Sequence, residues 1–566
     1  MLNKLIYRDT NRLCDRYLEW VQPLLKNDAE KLLTSKAVAD FRARRAPALQ
    51  EMLQKRMESN EPLLENIPYW DDWYLAERSP LPINSNPFYL LDLPLRQQGE
   101  QAAELVSAAC IFFRLVETNT LEPDTLHGEP LCMEQYSNMF CAVRSPRRHR
   151  DVFVKNKASR HIVVFCRGNI YRLDVFDEKG RLSRKEPIQE ALEKILATAT
   201  HSQFSPGTLT SMDRDRWAEA RSKLADSHPE NAVALETIES AVFSLSLDNF
   251  SPGTQEAAAR TLLHGDTGNR WFDKSIQFIV CANGVAGLNF EHSHLDGSPM
   301  ARLVRFVTGK EPETSIVTGN FSPCTRELPL HIPTELRKTI TEADKTTRRF
   351  DSNTLMRCLE FEPFGKEEIK RRGISPDAFI QIALQLAQHR TWGKIFSVFE
   401  SVMLRSFLRG RTEAMRPLSV ESSAFVASMA DPGASDGTRG TLLRLAVEQH
   451  VKRIRQCMAG EGVEGHLHAL LLLWKETGEA IPPALYIDEG WKRLVYTVFT
   501  TSTTRVDGLA LGGYGPAVSD GFAFRFLKKP DFLRFFVCCR SDLTDDLERF
   551  TGHLFASLED TLKLLH

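Results

Sequence analysis

The sequence lacks the cysteine patterns that are typical of zinc sites and disulfide-rich proteins. Its eleven cysteines are scattered along the chain, without a C-x-x-C pair or a Cys/His group at zinc spacing. An odd number of thiols also argues against a framework in which every cysteine is paired. We therefore predict reduced, mostly buried thiols, no bound metal and a cytoplasmic location.

The sequence also lacks long hydrophobic runs and an excess of charge of either sign. The run HALLLLW, at 468–474, is far too short to cross a bilayer, so no membrane span is expected. Lysine plus arginine number 72 against 74 for aspartate plus glutamate, which predicts no broad nucleic-acid or membrane surface. The N-terminal stretch is mixed in charge and unlike a signal peptide.

What the sequence does contain is enough apolar residues for two cores. A chain of 566 residues, 42% of them hydrophobic, is too long for one ordinary core. The pattern of elements also changes beyond about residue 330. We predict a mixed α/β fold with one domain at 1–340 and a second at 341–566.

Hydrophobic periodicity predicts the elements that position the candidate site. Helical spacing marks 12–58 and 97–119, and two apolar runs joined by a short turn mark β-hairpins at 160–182 and 275–292. The stretch 63–91 is rich in proline and aromatic residues, and we expect it to be irregular.

The second hairpin runs into NFEHSHLDG, which places histidines and an aspartate beside a glycine turn. A neutral imidazole accepts a proton near pH 7, and such a base commonly needs a second group that fixes its tautomer. His292 and Asp296 have that relation, four residues apart. From the residues alone, a catalytic and a structural His292 remain equal alternatives, and His294 is the weaker candidate.

Two later stretches contain further candidates. Lys366 and Lys370 share one helical face before a helix predicted at 375–390, so they are either phosphate ligands or a solvated face. Hydroxyl residues at 500–502 are either donors for a developing oxyanion or an ordinary threonine-rich strand. The glycines near Tyr514 indicate a turn or vacated space.

Together these stretches resemble the choline/carnitine acyltransferase family over nearly the whole chain. The resemblance implies two α/β domains of the chloramphenicol-acetyltransferase-like (CoA-dependent acyltransferase) fold, with the active-site tunnel between them. It also implies coenzyme A or acyl-CoA as a substrate and no permanently bound cofactor. The motifs are YLEWVQPLL, LLENIPYWDDWYL, SPLPINSNPFY, HGDTGNRWFDKSIQFIV, GLNFEHSHLDG, SPDAFIQIALQLA, FESVMLRSFLRGRTEAMRPLS and TTS…YGP…SDGFAF.

The resemblance implies a catalytic role for four residues. In the motif E-H-x-x-x-(D/E)-G the histidine is the general base, which here is His292. It is expected to deprotonate an acceptor hydroxyl that attacks the acyl thioester directly, without an acyl-enzyme. Asp296 is expected to support it through Arg411, and Ser502 to stabilise the oxyanion.

The resemblance also implies binding residues for coenzyme A and for the acceptor. Lys366, Lys370 and Asp377 match positions that contact coenzyme A. Thr500 and Thr501 match the first two positions of the family's S-T-S motif, and are expected to face the acceptor. Threonine in place of serine at 500 leaves open how closely Thr500 keeps that role.

The chain departs from the family where carnitine-using members bind the acceptor carboxylate. Their tyrosine is Phe399 here, their threonine is retained as Thr412, and their arginine is Gly465. Because a buried Arg–carboxylate pair is a strong interaction, carnitine is expected to bind poorly. Choline-using members have valine at the position of Thr412 and asparagine at that of Gly465, so they fit no better. Tyr514 is either a cation–π partner for an ammonium or a hydrophobic wall.

Two glycines are relevant to the length of the acyl group that the protein accepts. Short-chain members have a bulky residue two positions before the aromatic, whereas this chain has Gly512 followed by Gly513. We expect unfilled volume there and a preference for medium or long acyl chains.

The leading hypothesis is therefore an O-acyltransferase that moves such an acyl group between a thioester and a small alcohol, with a polyol preferred over carnitine. The match begins almost at the first residue, as expected for a domain of a larger polypeptide. Carnitine-acyltransferase-like domains end some fungal polyketide synthases, where an acyl carrier protein presents the chain on phosphopantetheine. A carnitine O-acyltransferase and a catalytically silent acyl-CoA-binding module are the alternatives.

Overall fold

The computed structural model describes residues 2–58, 69–157, 159–312, 314, 316–504 and 506–565, with the backbone alone for 69–72. The helices are α1 Thr10–Val21, α2 Asp28–Asp40, α3 Ala46–Glu58, α4 Tyr69–Ala76, α5 Leu81–Asn84, α6 Gln98–Glu117, α7 Lys185–Thr198, α8 Arg214–Ser227, α9 Pro229–Ser240, α10 Gln255–Leu263, α11 Gly297–Val307, α12 Thr334–Ser352, α13 Lys366–Arg371, α14 Pro376–Trp392, α15 Val420–Ala430, α16 Asp436–Met458, α17 Glu464–Glu476, α18 Ala484–Ile487, α19 Glu489–Val495 and α20 Thr544–Lys563.

Most of the strands are short and fall into two large sheets. They are β1 Phe88–Leu91, β2 Thr125–Leu126, β3 Glu129–Pro130, β4 Ala142–Ser145, β5 Val152–Lys155, β6 His161–Cys166, β7 Asn169–Asp174, β8 Leu182–Ser183, β9 Ser244–Leu247, β10 Ile276–Val280, β11 Ala286–Phe290, β12 Thr318–Gly319, β13 Cys324–Glu327, β14 Thr354–Phe361, β15 Val398–Met403, β16 Thr412–Met415, β17 Phe499–Thr503, β18 Leu509–Gly513, β19 Phe522–Lys528 and β20 Leu533–Arg540.

The first sheet has eight strands in the order β13-β7-β6-β9-β10-β11-β1-β18. Strand β9 is parallel to both of its neighbours, and the other pairs are antiparallel. Both faces of its centre are buried. Ile162 packs with α6 and α7, whereas its chain neighbour Val163 packs with α8 and α9. Alternation of side chains along a strand explains why β6 reads as a continuous apolar run.

The second sheet has six strands in the order β14-β20-β19-β17-β15-β16, with β17 parallel to β15 and to β19. Helices α14 and α20 cover one face, on which Phe524 of β19 is buried. The other face turns toward the first sheet, where Ala523 and Phe536 pack against Phe88 and Leu511. The two sheets therefore share a core at β1 and β18.

Segments from the two ends of the sequence pack against each other. Helices α1 to α3 form a core with α17 and α19, in which Trp20 and Leu470 are fully buried. Strand β18, from the last tenth of the chain, is an edge strand of the first sheet beside β1. Residue 340 lies inside α12, and the predicted boundary between domains stays a prediction.

The two sheets and their covering helices confirm the predicted α/β class. Both hairpins are present, as β6–β7 and β10–β11, and the predicted helices of 12–58 and 97–119 are α1–α3 and α6. The prediction for 63–91 was wrong where the structure describes it, because Phe88–Leu91 is a fully buried strand. Residues 63–68 of that prediction lie outside the described residues.

The cysteines agree with the prediction of reduced, mostly buried thiols. All eleven cysteines are free thiols, and nine of them are buried. Among the described helices, none is long and apolar enough to span a membrane.

Candidate active site

His292 lies two residues beyond the end of β11 and is held in one tautomer. Its Nδ1 is hydrogen-bonded to the carbonyl oxygen of Leu295. A carbonyl oxygen only accepts, so Nδ1 carries the proton and Nε2 of the neutral ring keeps a lone pair. Burial lowers the pKa of His292, an effect that the nearby Asp296 carboxylate opposes and the Arg411 cation reinforces. The ring is therefore a neutral base at physiological pH.

Asp296 forms a two-point ion pair with Arg411. The Asp296 carboxylate lies 3.0 Å from both Nε and Nη2 of Arg411. The same guanidinium also binds the backbone carbonyls of His292, at 3.1 Å, and of Ser293. Burial would raise the pKa of Asp296, but Arg411 outweighs it and holds the carboxyl ionised. This pair ties the His292 loop to the start of β16.

Gln135 completes that arrangement from a distant part of the chain. Its side-chain Nε2 donates to Asp296 Oδ2 at 2.8 Å, and its Oε1 accepts from the Asp296 backbone N–H at 2.8 Å. Gln135 is itself buried. Both bonds fix the turn that follows His292, so Gln135 is a positioning residue that no local motif indicates.

Arg144 supports the other side of His292. This fully buried guanidinium lies 3.4 Å from the Glu291 carboxylate and binds the backbone carbonyl of Tyr74 at 2.5 Å. The Tyr74 ring lies 5.2 Å from the His292 ring, centroid to centroid. Glu291 in turn accepts from the Ser293 hydroxyl at 2.6 Å. The imidazole is thus fixed by contacts on both sides.

His294 has a structural environment. Its ring stacks on Phe153, with centroids 3.9 Å apart, and its Nδ1 lies 3.0 Å from the Ser293 hydroxyl. Burial lowers the pKa of His294 to about 4.

The hydroxyls of β17 divide between the two faces of the strand. Thr501 is fully buried on the helix side, where its hydroxyl donates to the Phe399 carbonyl at 2.7 Å and accepts from Gln381. Thr500 and Ser502 point to the opposite face. Because the Thr501 hydroxyl is already satisfied there, Thr500 and Ser502 are the better candidates for contact with a substrate.

Tyr514 ties the strands of this region together. Its hydroxyl lies 2.9 Å from the Thr500 carbonyl and 3.3 Å from the Phe524 carbonyl, one on β17 and the other on β19. Burial raises the pKa of Tyr514 further above its ordinary value.

The His292 loop and β17 come into contact through Gly297. A Cβ atom at Gly297 would lie 3.0 Å from the Tyr89 hydroxyl and 3.4 Å from the Thr504 hydroxyl. Tyr89 belongs to β1, and Thr504 follows the last residue of β17. The structure therefore brings together the predicted base loop and the predicted oxyanion strand, which are more than 200 residues apart in the sequence.

A cavity of about 340 Å³ opens beside this loop. Three predicted acceptor residues line it together, namely Phe399, Thr412 and Gly465. Arg411, which holds the His292 loop, lines it as well. The other lining residues are Tyr7, Trp73, Leu404, Arg409, Glu413, Ala414, Arg416, Glu464, His468, Leu471, Trp491, Val495 and Thr497.

The place of a side chain at Gly465 is already occupied. A Cβ atom there would lie 2.4 Å from the Tyr7 hydroxyl and 2.7 Å from Glu413 Oε2. The Gly465 backbone N–H donates to Glu413 Oε1 at 2.9 Å. Burial raises the pKa of Glu413 to about 7, although this hydrogen bond opposes the rise. An arginine at 465 does not fit without displacing Tyr7 and Glu413.

The three arginines that line the cavity all have carboxylate partners. Two of the pairs are two-point contacts between a guanidinium and a carboxylate, which is the strongest geometry for such a pair. The pairs are Arg411 with Asp296, Arg416 with Glu464, and Arg409 with Glu134.

A side chain at either glycine of β18 would meet neighbouring side chains. A Cβ atom at Gly512 would lie 2.8 Å from Tyr89 Cδ1 and 3.0 Å from Arg525 Nε, and one at Gly513 would lie 2.2 Å from Phe536 Cδ1. The open volume that the sequence predicts for an acyl chain beside these glycines stays a prediction.

The predicted coenzyme A ligands lie on two consecutive helices, α13 and α14. Lys366 and Lys370 lie on the short helix α13, where Lys370 pairs with Glu367 at 3.1 Å. Asp377, in the first turn of α14, lies 2.5 Å from the ammonium of Lys528. Burial would raise the pKa of Asp377, but hydrogen bonding and the cation lower it strongly.

Comparisons with known proteins identify the family of the chain. A family model for Choline/Carnitine o-acyltransferase matches residues 9–556. Carnitine O-acetyltransferase of Columba livia is 31% identical, over 97% of this chain and 91% of that protein. Human mitochondrial carnitine O-palmitoyltransferase 2 is 32% identical, over 90% of this chain and 83% of that protein. The chain therefore belongs to the choline/carnitine acyltransferase family and is an acyltransferase.

Solved structures with similar folds are more distant. The trichothecene 15-O-acetyltransferase of Fusarium sporotrichioides covers 86% of this chain and 94% of its own, with a TM-score of 0.37 and 12% identity. The starter condensation domain of rhizomide synthetase covers 86% of this chain and 92% of its own, with a TM-score of 0.36 and 9% identity.

Proposed function

We propose that the protein transfers an acyl group from a thioester to a small alcohol, with His292 as the general base. The observation that supports this most directly is the hydrogen bond from His292 Nδ1 to the Leu295 carbonyl, which leaves Nε2 as a proton acceptor. A neutral imidazole, on a loop that is bound to the cavity-lining Arg411, has the protonation state that deprotonation of an alcohol requires.

In the proposed reaction, His292 Nε2 takes the proton from the acceptor hydroxyl while that oxygen attacks the thioester carbonyl carbon. A C–O bond forms, and the carbonyl electron pair moves onto its oxygen, where the Ser502 hydroxyl is a donor. When this intermediate collapses, the C–S bond breaks and the imidazolium returns its proton to the sulfur. The products are an ester and a free thiol.

The acceptor we propose is a neutral alcohol such as a polyol rather than carnitine. The position at which carnitine-using relatives place an arginine is Gly465, and its side-chain space is taken by Tyr7 and Glu413. The three arginines of the cavity are already paired with carboxylates. A carboxylate in the acceptor would have to compete with those pairs, whereas hydroxyl groups would not.

The donor we propose is a medium or long acyl thioester of coenzyme A or of a carrier-protein phosphopantetheine, as in polyketide release. Both donors present the same arm and the same reacting carbon, so the His292 chemistry is identical. Lys366 and Lys370 would serve the phosphates of coenzyme A. An acyl carrier protein would need to dock where those lysines lie.

Replacing His292 tests the mechanism. With octanoyl-CoA and the best acceptor, His292→Ala should lower the rate of thiol release by about 100-fold or more, because general base catalysis is lost. The matched control is His294→Ala, which removes a buried imidazole two residues away and should keep most of the rate. Full activity of His292→Ala would refute the proposed mechanism.

An acceptor screen tests the substrate. Carnitine, choline, glycerol and sugar alcohols are offered side by side with one acyl-CoA, and kcat/KM is measured for each. We expect a polyol to be the better acceptor. Efficient carnitine turnover with a low KM would favour the second candidate, a carnitine O-acyltransferase like the relatives named above. Binding of acyl-CoA without turnover of any alcohol would indicate a silent acyl-CoA-binding module.

A further inference from the structure

Arg525 is a buried cation without a counter-charge. Only 4% of its surface is exposed, and its Nε and Nη2 have no hydrogen-bond partner among the described residues. Among the residues that the structure describes, no carboxylate forms an ion pair with Arg525. The other fully or nearly fully buried arginines near the site differ in this respect, since Arg144 and Arg214 each have carboxylate partners.

The guanidinium lies on the face of the sheet that carries the proposed oxyanion donor. Arg525 of β19 is the direct neighbour of Ser502 of β17, and side chains of paired residues share a face. Thr500, two residues before Ser502, has a buried hydroxyl that also has no hydrogen-bond partner in the described structure. Hydrogen-bond donors are therefore grouped on this face. For the Thr500 hydroxyl and for Nε and Nη2 of Arg525, the described structure provides no acceptor.

The same guanidinium borders the position predicted to receive the acyl chain. Arg525 Nε lies 3.0 Å from the place of a Cβ at Gly512. Its guanidinium carbon lies 4.8 Å from the centre of the Tyr89 ring, which provides a cation–π contact but no hydrogen-bond acceptor for Nε or Nη2. The Tyr89 hydroxyl in turn lies against Gly297 of the His292 loop. Only one tyrosine ring separates Arg525 from that loop.

A buried guanidinium whose N–H groups are unpaired is destabilising unless a partner binds it. A plain alkyl chain in this space would leave the N–H groups unpaired, whereas an acyl oxygen would accept from them. Guanidinium groups favour carbonyl, carboxylate and hydroxyl oxygens as partners. The polar environment at Gly512 therefore differs from the purely apolar pocket that the sequence suggests.

We infer that Arg525 determines acyl specificity, by binding an oxygen on the acyl chain of the donor, so that oxygenated acyl groups are preferred over plain alkyl ones. This inference rests on the proposed function, because it assumes that an acyl thioester occupies the site. It adds a substrate class to that function. The residue acts on binding, while the proton transfers remain with His292.

Equilibrium binding to non-hydrolysable thioethers tests the inference without any acceptor alcohol. The ligands are the thioether analogues of octanoyl-CoA, of 3-oxooctanoyl-CoA and of suberoyl-CoA, which ends in a carboxylate. The variants are Arg525→Met, which keeps the length and removes the charge, and Arg357→Met, a control on edge strand β14 of the same sheet. The dissociation constants are measured by calorimetry, together with the thermal unfolding temperature of each variant.

We expect wild type and Arg357→Met to bind at least one oxygenated analogue about 10-fold more tightly than the octanoyl analogue, as for a hydrogen bond to a charged group. In Arg525→Met that preference should vanish, with no decrease in unfolding temperature, because an unpaired charge has been removed. Preference for the 3-oxo analogue places the oxygen near the thioester, and preference for the suberoyl analogue places it at the chain end.

Several results would overturn the inference, and they differ in what they say about the proposed function. If wild type binds all three analogues equally, or if Arg525→Met keeps the preference, Arg525 has no role in specificity and the acyltransferase proposal stands. If no analogue binds and no acyl-CoA is turned over, the proposed function fails and the inference fails with it. A lower unfolding temperature of Arg525→Met with unchanged binding would identify a purely structural arginine.

Discussion

At the scale of single residues, the lowered pKa of His292 predicts the pH dependence of the reaction. A general base works in its neutral form, so activity is present above the pKa of His292 and is lost as the pH falls through it. Because burial lowers that pKa below the ordinary value of about 6.5, kcat/KM at pH 6.5 should be more than half of its plateau value. The measurement is a pH profile of kcat/KM. Half-maximal activity at or above pH 6.5 would contradict this prediction.

Gln135→Ala tests the positioning role of a residue outside every motif. The change removes both hydrogen bonds to Asp296, leaving a buried N–H and a carboxylate oxygen with fewer partners. We expect a loss of stability of about 1–3 kcal/mol and a lower kcat/KM, because the turn after His292 loosens. Urea unfolding and steady-state kinetics measure the two effects.

The control for that change is Gln98→Ala. Gln98 donates to two backbone carbonyls, of Asp248 and Val280, and touches neither His292 nor Asp296. It should lose stability without losing activity. Equal losses of activity in both variants would mean that Gln135 acts only through stability.

Site residues that lie inside a motif could be predicted from the sequence. The residues that contact them and hold them in place could not. The resemblance predicted a link between Asp296 and Arg411, and the structure shows a two-point contact between them. Gln135, Tyr7 and Arg525 reach the site from segments far away in the sequence, and each belongs to an unremarkable local pattern. Their partners are set by how the sheets pack, which periodicity does not encode.

At the scale of elements, Gly513 tests how tightly β18 packs against the second sheet. A Cβ at this position would lie 2.2 Å from a ring carbon of Phe536, which is buried between the sheets. Gly513→Ala should therefore destabilise the protein by about 1–3 kcal/mol through overpacking. Urea unfolding measures the change.

Gly253→Ala is the matched control, because a Cβ at Gly253 meets nothing within 4 Å. That variant should be neutral or slightly stabilised, since alanine restricts the unfolded chain. A Gly513→Ala variant as stable as Gly253→Ala would show that the strands separate easily at this point.

Elements with a clear hydrophobic period could be predicted from the sequence. Strand β1, which lacks such a period, could not. The hairpin β6–β7 has two apolar runs around a turn at Arg167 and Gly168, both of which have positive φ. Strand β1 follows a segment with several prolines, which masked its four apolar residues. Its place between β11 and β18 buries it on both sides, a tertiary effect that overrides the local signal.

At the scale of the whole molecule, buried histidines and a buried glutamate contribute in opposite directions to the change of stability as the pH falls. Burial lowers the pKa of His161 to about 4 and of His466 to about 3, so these side chains stay neutral in the native state. The unfolded chain binds their protons below about pH 6.5, so each histidine lowers the stability as the pH falls. Glu413, with a raised pKa of about 7, binds its proton in the native state and acts in the opposite direction.

His161→Gln isolates one of these contributions. Glutamine can still donate to the Thr237 carbonyl, which His161 Nε2 contacts at 2.8 Å, but it does not titrate. Between pH 6.5 and 5.5, wild type should lose about 1 kcal/mol more stability than this variant, because the histidine of the unfolded chain goes from about half to about nine-tenths protonated while the native one stays neutral. Urea unfolding at pH 7.5, 6.5 and 5.5 measures the difference. Parallel pH dependence of the two proteins would refute it.

The assembly of the whole molecule was only partly predictable. Composition indicated two cores, and the structure has two sheets with their own helices. No local pattern indicated that α1–α3 pack against α17 and α19, or that β18 joins the first sheet. Such pairings join segments hundreds of residues apart, and their only local signal is an apolar face that fits several partners.

The position of β18 has a consequence for synthesis of the chain. Strand β1 emerges early and can pair with β11, but its other edge waits for Leu509–Gly513. At about 5–20 residues per second, the ribosome needs about 20–80 s to make the intervening chain. During that time one edge of Phe88–Leu91, a strand that is buried in the folded protein, presents unpaired backbone groups to other chains. The nascent protein is therefore exposed to aggregation through this edge until Leu509–Gly513 has been made.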